Sequence, residues 1–177
     1  MELFLTLRML YIPFYPIMIT VKINVEPAVA EYIRGKFLDA ESGVVRFPSD
    51  LDIYVLIYDL LQRRPVDRPV DTGNIEFALP ERRQGKDPAT YNYLSARSQK
   101  MLADKMRTMM WAELHDTMDE NKHIRGIKFK DTIFTFMHRY SIESISEDAL
   151  FKNYQRWRYK LRRKQKRSYT RKVGSLK

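Results

Sequence analysis

The first 80 residues carry short apolar patterns that switch between a two-residue and a helical period. Apolar and polar side chains alternate in Thr20–Val25, which predicts a half-buried strand. Apolar residues recur at helical steps from Pro27 to Phe37, which predicts a short helix with proline in its first turn. Similar patterns predict three more elements: a strand at Val44–Phe47, a helix capped by Ser49 or Asp50 that stops before Pro65, and a strand at Asn74–Leu79.

A long helix is predicted after a basic loop. The loop, residues 81–94, contains Pro and Gly and lacks periodicity, and its Arg82, Arg83 and Lys86 are positioned to reach a ligand. Ser95 is a suitable N-cap for a helix that reaches about residue 122. The apolar stripe of this helix consists of Leu102, Met106, Met109 or Met110, Leu114 and Met118. Such a stripe is typical of core packing, although a partner-binding groove can have the same composition.

Two further helices are predicted in the last third of the chain, after the long helix. Asp131–Tyr140 predicts the first, and Ser141–Ile145 predicts a short turn after it. Ser144 and Glu147 have the spacing of a capping box for the second helix, with Ser146 as the rival cap. The second helix has one narrow apolar seam, formed by Leu150, Tyr154, Trp157 and Leu161. A helical pair joined by a short turn, with a polar and basic second helix, has the layout of a helix-turn-helix.

The predicted fold class is therefore α+β, with a mixed N-terminal unit and a mainly helical C-terminal part. The chain divides into an apolar extension at 1–19, a small α+β unit at 20–80, the loop at 81–94, a helical unit at 95–163 and a basic tail at 164–177. We expect the tail to be flexible, because its small polar residues offer little to bury. The extension is apolar, but prolines and an arginine interrupt it, so we expect no membrane anchor and favour Met18 as the natural start.

Charge is the most informative feature. Of the 32 Lys and Arg residues, twelve lie between Ala149 and Lys177, a segment without any Asp or Glu. The first 148 residues carry the remaining 20 basic residues against all 22 acidic ones. A one-sided positive field concentrates polyanions and releases their counterions on contact. The distribution predicts a nucleic-acid-binding protein whose C-terminal end makes the contacts.

The side chains of the last helix suit base and phosphate recognition. Asn153 and Gln155 carry the paired donor and acceptor that adenine requires, and Arg156 can fork onto guanine. The flanking cations are expected to meet phosphates. The predicted nucleic-acid-binding residues are Lys152, Asn153, Gln155, Arg156, Arg158, Lys160, Arg162, Arg163, Lys164, Lys166 and Arg167, together with Arg82 and Arg83 of the loop.

Residues Phe136 to Lys164 resemble the helix-turn-helix portion of small DNA-binding proteins carried by phages and other mobile elements. Their sequence is FMHRYSIESISEDALFKNYQRWRYKLRRK. The resemblance covers the last quarter of the chain. It implies a role in regulating, packaging or replicating the DNA of such an element, and it supplies no catalytic residues.

Other chemistry finds little support. The absence of Cys excludes disulfides, thiolate metal sites and thiol catalysis, and it fits a cytoplasmic location. No phosphate-binding loop, dinucleotide fingerprint or nucleophile-elbow sequence occurs, and His115 with Asp119 supplies too few ligands for a metal. We therefore expect a protein without catalytic activity or cofactor that binds duplex DNA in preference to RNA, as a possible homodimer. The alternatives are an RNA-binding accessory protein and an assembly or scaffold protein whose basic tail docks on an acidic partner.

Overall fold

The computed structural model describes residues 18–67, 69–80 and 85–165, of which residues 164 and 165 are described as backbone only. In this part of the chain five helices and a two-stranded antiparallel sheet follow one another. They are β1 (Thr20–Ile23), α1 (Pro27–Phe37), α2 (Asp52–Leu60), β2 (Ile75–Ala78), α3 (Ala96–His123), α4 (Phe129–Tyr140) and α5 (Glu147–Gln165). The predicted α+β class, with a mainly helical C-terminal part, is confirmed.

The sheet is small and its buried face follows the predicted alternation. β1 and β2 pair with Val21 opposite Phe77, and both side chains are buried. The Asn74 side-chain oxygen accepts the N–H of Val25 at 2.9 Å, and its Nδ2 atom donates to the Val25 carbonyl at 2.8 Å. This amide therefore fixes the chain where it leaves β1.

Two predictions for the N-terminal region are wrong. Val44–Phe47 is not a full strand: only Val45 forms isolated bridges, to Leu38 and Phe77. Neither Ser49 nor Asp50 caps α2, because the N-cap position is Leu51, which makes no side-chain capping bond. The first error arises because strand pairing depends on a partner elsewhere in the chain, and Val45 alone meets Phe77. The second is a shift of the helix start by one or two residues.

The long helix α3 forms the centre of the molecule. Ser95 is its N-cap and accepts the N–H of Ser98 at 3.2 Å, as predicted. Met106, Met110 and Met118 of the methionine-rich stripe are almost fully buried in the core. The stripe is therefore core packing, and these side chains are not accessible to a partner. α1, α2 and α4 all pack against α3, and α5 packs against α4.

A half-buried carboxylate, that of Glu113, ties three of these helices together. Glu113 of α3 accepts the hydroxyl of Tyr32 in α1 at 2.6 Å, and it also accepts bonds from Lys36 of α1 and Tyr140 of α4. Burial alone raises the pKa of Glu113, but the bonds from Lys36, Tyr140 and Tyr32 bring it below its ordinary value. The packing of α4, which positions α5, thus depends on an ionised group at the edge of the core.

Candidate nucleic-acid interface

A left-handed residue ends α4 and starts the turn towards α5. Ser141 has φ 50°, and the N–H of Ile142 bonds the carbonyl of Met137 at 2.9 Å. Glycine is common at such positions because a side chain costs energy there. The turn spans residues 141–146, which is longer than the three or four residues typical of a helix-turn-helix. Burial of the Ile142 side chain helps to fix it.

Glu31 of α1 holds the same turn from outside. Its Oε2 atom accepts the N–H of Glu143 at 2.9 Å, the N–H of Ser144 at 3.1 Å and the Ser144 hydroxyl at 2.8 Å. Burial raises the pKa of Glu31, but the hydrogen bonds from Ser144 and Glu143 lower it by a larger amount. The pKa of Glu31 therefore lies below its ordinary value. The N-terminal unit therefore contributes directly to the placement of α5.

The N-cap of α5 is Ser146, the alternative to Ser144 in the sequence prediction. The Ser146 hydroxyl accepts the N–H of Ala149 at 3.3 Å, whereas the Ser144 hydroxyl is engaged with Glu31. The predicted capping box at Ser144 is wrong, because Glu31 supplies that hydroxyl with a charged acceptor from another helix.

The first half of α5 is anchored by aromatic packing. Leu150 and Tyr154 are buried, and Trp157 stacks on the His115 ring of α3 with 4.5 Å between centroids. The Asn153 Oδ1 atom lies 2.9 Å from His115 Nε2 and forms a hydrogen bond with it. Burial lowers the pKa of His115, which favours the neutral ring at this contact. Asn153, predicted to read adenine, thus holds α5 against α3.

Arg158 also faces the body of the protein. Its Nη1 atom donates to the Asp119 carboxylate, lies 3.1 Å from the Tyr154 hydroxyl and 2.6 Å from His123 Nε2. The side chain therefore links the middle of α5 to the end of α3, and its charge is partly neutralised by Asp119.

The opposite side of α5 carries exposed cations. Arg156, Lys160 and Arg163 stand at helical steps of four and three, so they form one cationic stripe. No carboxylate among the described residues lies within salt-bridge distance of any of the three, or of Arg162 on the other flank. Lys152 at the start of this side is paired with Asp148, with 2.6 Å between Nζ and Oδ2.

The C-terminal half of α5 extends beyond the core. Tyr159 is 66% exposed and Leu161 is 43% exposed, and the remaining described side chains from 160 to 163 are exposed as well. Leu161 was predicted to belong to the apolar seam, and that prediction is wrong, because its side chain is exposed and is not part of the core. The seven residues after Arg158, up to the end of the helix at residue 165, span about 10 Å at 1.5 Å per residue.

Several predicted residues lie outside the described part of the chain. These are Lys166 and Arg167 of the tail, Arg82 and Arg83 of the loop, and the side chain of Lys164. The N-terminal extension lies outside it up to residue 17. Lys86, which belongs to the described part of the loop, donates to the carbonyls of Tyr58 and Asp59 at 2.8 and 2.7 Å and so caps the end of α2.

A groove beside α5 brings in cations that sequence reasoning missed. It encloses about 410 Å³ between the end of α3, the start of α4 and one flank of α5. Its lining residues are Lys122, His123, Phe129, Phe151, Tyr154, Gln155, Arg158, Tyr159 and Arg162. Lys122 and His123 are some 35 residues from their neighbours on α5. No local pattern could have joined them to the site.

The comparisons with known proteins add no assignment. No protein-family model, curated protein sequence or solved structure matches this chain. Within residues 18–67, 69–80 and 85–165, no three His, Asp or Glu side chains are grouped so that they could hold a metal ion. None of the helices described is both long enough and apolar enough to cross a membrane.

Proposed function

We propose that this protein binds duplex DNA through the projecting half of α5 and the basic tail that follows it. The observation that carries the proposal is the cationic stripe: Arg156, Lys160 and Arg163 lie exposed on one side of a helix, without a neutralising carboxylate in the described structure. A helix with its side chains is about 10–12 Å wide, which matches the roughly 12 Å width of the major groove. Among the residues that the structure describes, the side chains of α5 from 159 to 163 are all exposed, so DNA can approach this part of the helix.

The two flanks of α5 favour contacts with both strands. The cationic stripe lies on one flank, and Arg162 lies on the other, towards the groove. A helix in the major groove has a phosphate backbone on each side, so both flanks find anions. Gln155 and Arg156 then face base edges or phosphates, and Lys164, Lys166 and Arg167 extend the polycation along the backbone.

The test is fluorescence anisotropy with a labelled random duplex over a salt series. The structure rules out removing α5, since Leu150 and Tyr154 belong to the core. We would instead replace Arg156, Lys160 and Arg163 together with Gln. The matched control replaces Arg97, Lys100 and Lys105 in the first half of α3. Lys105, the nearest of them, lies about 27 Å from the end of that helix at 1.5 Å per residue.

The expected result is a large effect of the first triple variant and a small effect of the control. Each lost phosphate contact reduces the slope of log K against log salt by about 0.9, so three contacts reduce it by between two and three. Equal loss in both variants would mean that only net charge matters, and it would remove α5 from the interface. Unchanged binding in the first variant would have the same consequence.

Competition identifies the class of polyanion. Unlabelled duplex should displace the probe better than structured RNA of equal charge, and an acidic polypeptide should displace it least. An advantage for RNA would favour the RNA-binding alternative, and an advantage for the polypeptide would favour the scaffold. We propose a cytoplasmic location, where nucleic acid is accessible. Sedimentation with and without duplex measures whether two copies bind as a homodimer.

A further inference from the structure

The groove beside α5 has an aromatic floor. Phe129 and Phe151 are half-buried, with 5.6 Å between their ring centroids, and Phe129 also lies 5.2 Å from the buried Tyr154 ring. The groove surface is mainly apolar, and the exposed Tyr159 also lines it. An open surface of this kind presents π faces on which a flat ring can stack.

The rim of the same groove is cationic. Lys122 Nζ lies over one face of the Phe129 ring, 5.5 Å from its centroid, so a stacking base would have to displace this exposed, flexible side chain or use the Phe151 ring. Arg162 reaches the groove from α5 without a carboxylate partner in the described structure. His123 and Arg158 close one end, where Asp119 balances the charge of Arg158. The occupant that fits is therefore a flat, apolar ring that carries a negative charge beside it.

We propose that this groove receives an unpaired nucleotide at the end of, or at a break in, a duplex held by α5. Its base stacks on Phe129 and Phe151, and its phosphate lies near Arg162 and Lys122. Bases inside a duplex are covered on both faces by their neighbours, whereas an unpaired base can turn out of the stack and place its face on the rings. Gln155 also lines the groove and can bond the edge of the base. The inference rests on the proposed function and makes it more specific: the preferred ligand is a duplex with a single-stranded end.

The experiment compares three labelled duplexes with the same base pairs. One is blunt, one has an overhang of three nucleotides, and one has the same overhang with abasic sites; overhangs of both polarities are used. Stacking of a single base should make the natural overhang bind at least about fivefold tighter than the blunt duplex. The abasic overhang adds the same phosphates without bases, so it should gain less than about twofold.

Two full-length variants assign the effect to the groove. Phe151→Leu keeps an apolar side chain but removes a stacking face, and it should abolish most of the overhang gain while leaving blunt-duplex affinity unchanged. Phe134→Leu is the matched control, because Phe134 is 61% exposed on α4 and lines a different depression. It should leave the overhang gain intact.

The outcomes separate the inference from the proposed function. Blunt-duplex binding without a gain from the overhang overturns the inference and leaves the proposed function standing. A gain that persists with abasic sites, or in Phe151→Leu, also overturns the inference. Binding of the overhang without any binding of blunt duplex supports the groove and contradicts the duplex proposal.

Discussion

Gly35 is a position where helix propensity and packing make opposite predictions. It lies in the last turn of α1 and is solvent-exposed, so replacing it with Ala would ordinarily stabilise the helix by up to about 1 kcal/mol. A Cβ atom at Gly35 would, however, lie 2.6 Å from both the Cα and the carbonyl oxygen of Tyr140 in α4. These are backbone atoms, so no side-chain rotation relieves the contact.

The size of the effect follows from that distance. Ordinary contact begins at 3.4 Å, so α1 and the end of α4 would have to separate by about 0.8 Å. Overpacking of a well-packed site costs roughly 1–3 kcal/mol. The upper end applies here, because the movement also disturbs the Tyr32–Tyr140 ring pair and the bond from Tyr140 to Glu113. Subtracting the propensity gain leaves a net loss of about 2 kcal/mol for Gly35→Ala.

Thermal and urea unfolding followed by circular dichroism at 222 nm would measure this loss. For a chain of this size, about 2 kcal/mol lowers Tm by roughly 4–8 °C. Ala112→Gly, at an exposed position in the middle of α3, measures the propensity effect alone and should cost about 1 kcal/mol. A Gly35→Ala protein as stable as the parent, or more stable, would refute the close approach of α1 and α4.

Three further predictions concern the contacts that position α5. Burial holds the pKa of His115 below its ordinary 6.5, so the unfolded chain takes up a proton at this histidine more readily than the folded protein does. The free energy of unfolding should therefore fall as the pH is lowered below about 6.5. His115→Gln should reduce the change in urea midpoint between neutral and mildly acidic pH. Glu113→Gln should cost about 1–3 kcal/mol at neutral pH. Because the pKa of Glu113 lies below its ordinary 4.5, the advantage of the parent protein should disappear as pH falls through that lowered pKa, which urea titrations in acid would show. Ser146→Ala should lower stability by about 1 kcal/mol through loss of the α5 cap, and an unchanged melting curve would contradict that role.

Local sequence patterns gave most elements to within a few residues. The predicted helix from Ser95 to about residue 122 is observed as Ala96–His123, and Asn74–Leu79 contains β2. These elements could be predicted because period, caps and helix-stopping residues act over a few neighbouring positions. Val44–Phe47 could not, because its pattern suits a strand but only Val45 finds a partner in β2.

Part of the candidate site could likewise be predicted from the sequence, and part could not. The chain by itself determined that the basic residues gather at its C-terminal end and that Arg156, Lys160 and Arg163 share one side of a helix, because charge and helical spacing are local properties. Only the tertiary structure decided that Asn153 and Arg158 turn inwards, to His115 and Asp119.

The tertiary structure also decided where the groove lies. Lys122 and His123 meet α5 because the end of α3 lies beside the middle of α5. Glu31 reaches the turn before α5 because α1 packs on α4. These contacts join residues from about 30 to more than 100 positions apart. Their physical cause is burial of a common core, which selects one arrangement of helices from the many that the same local patterns allow.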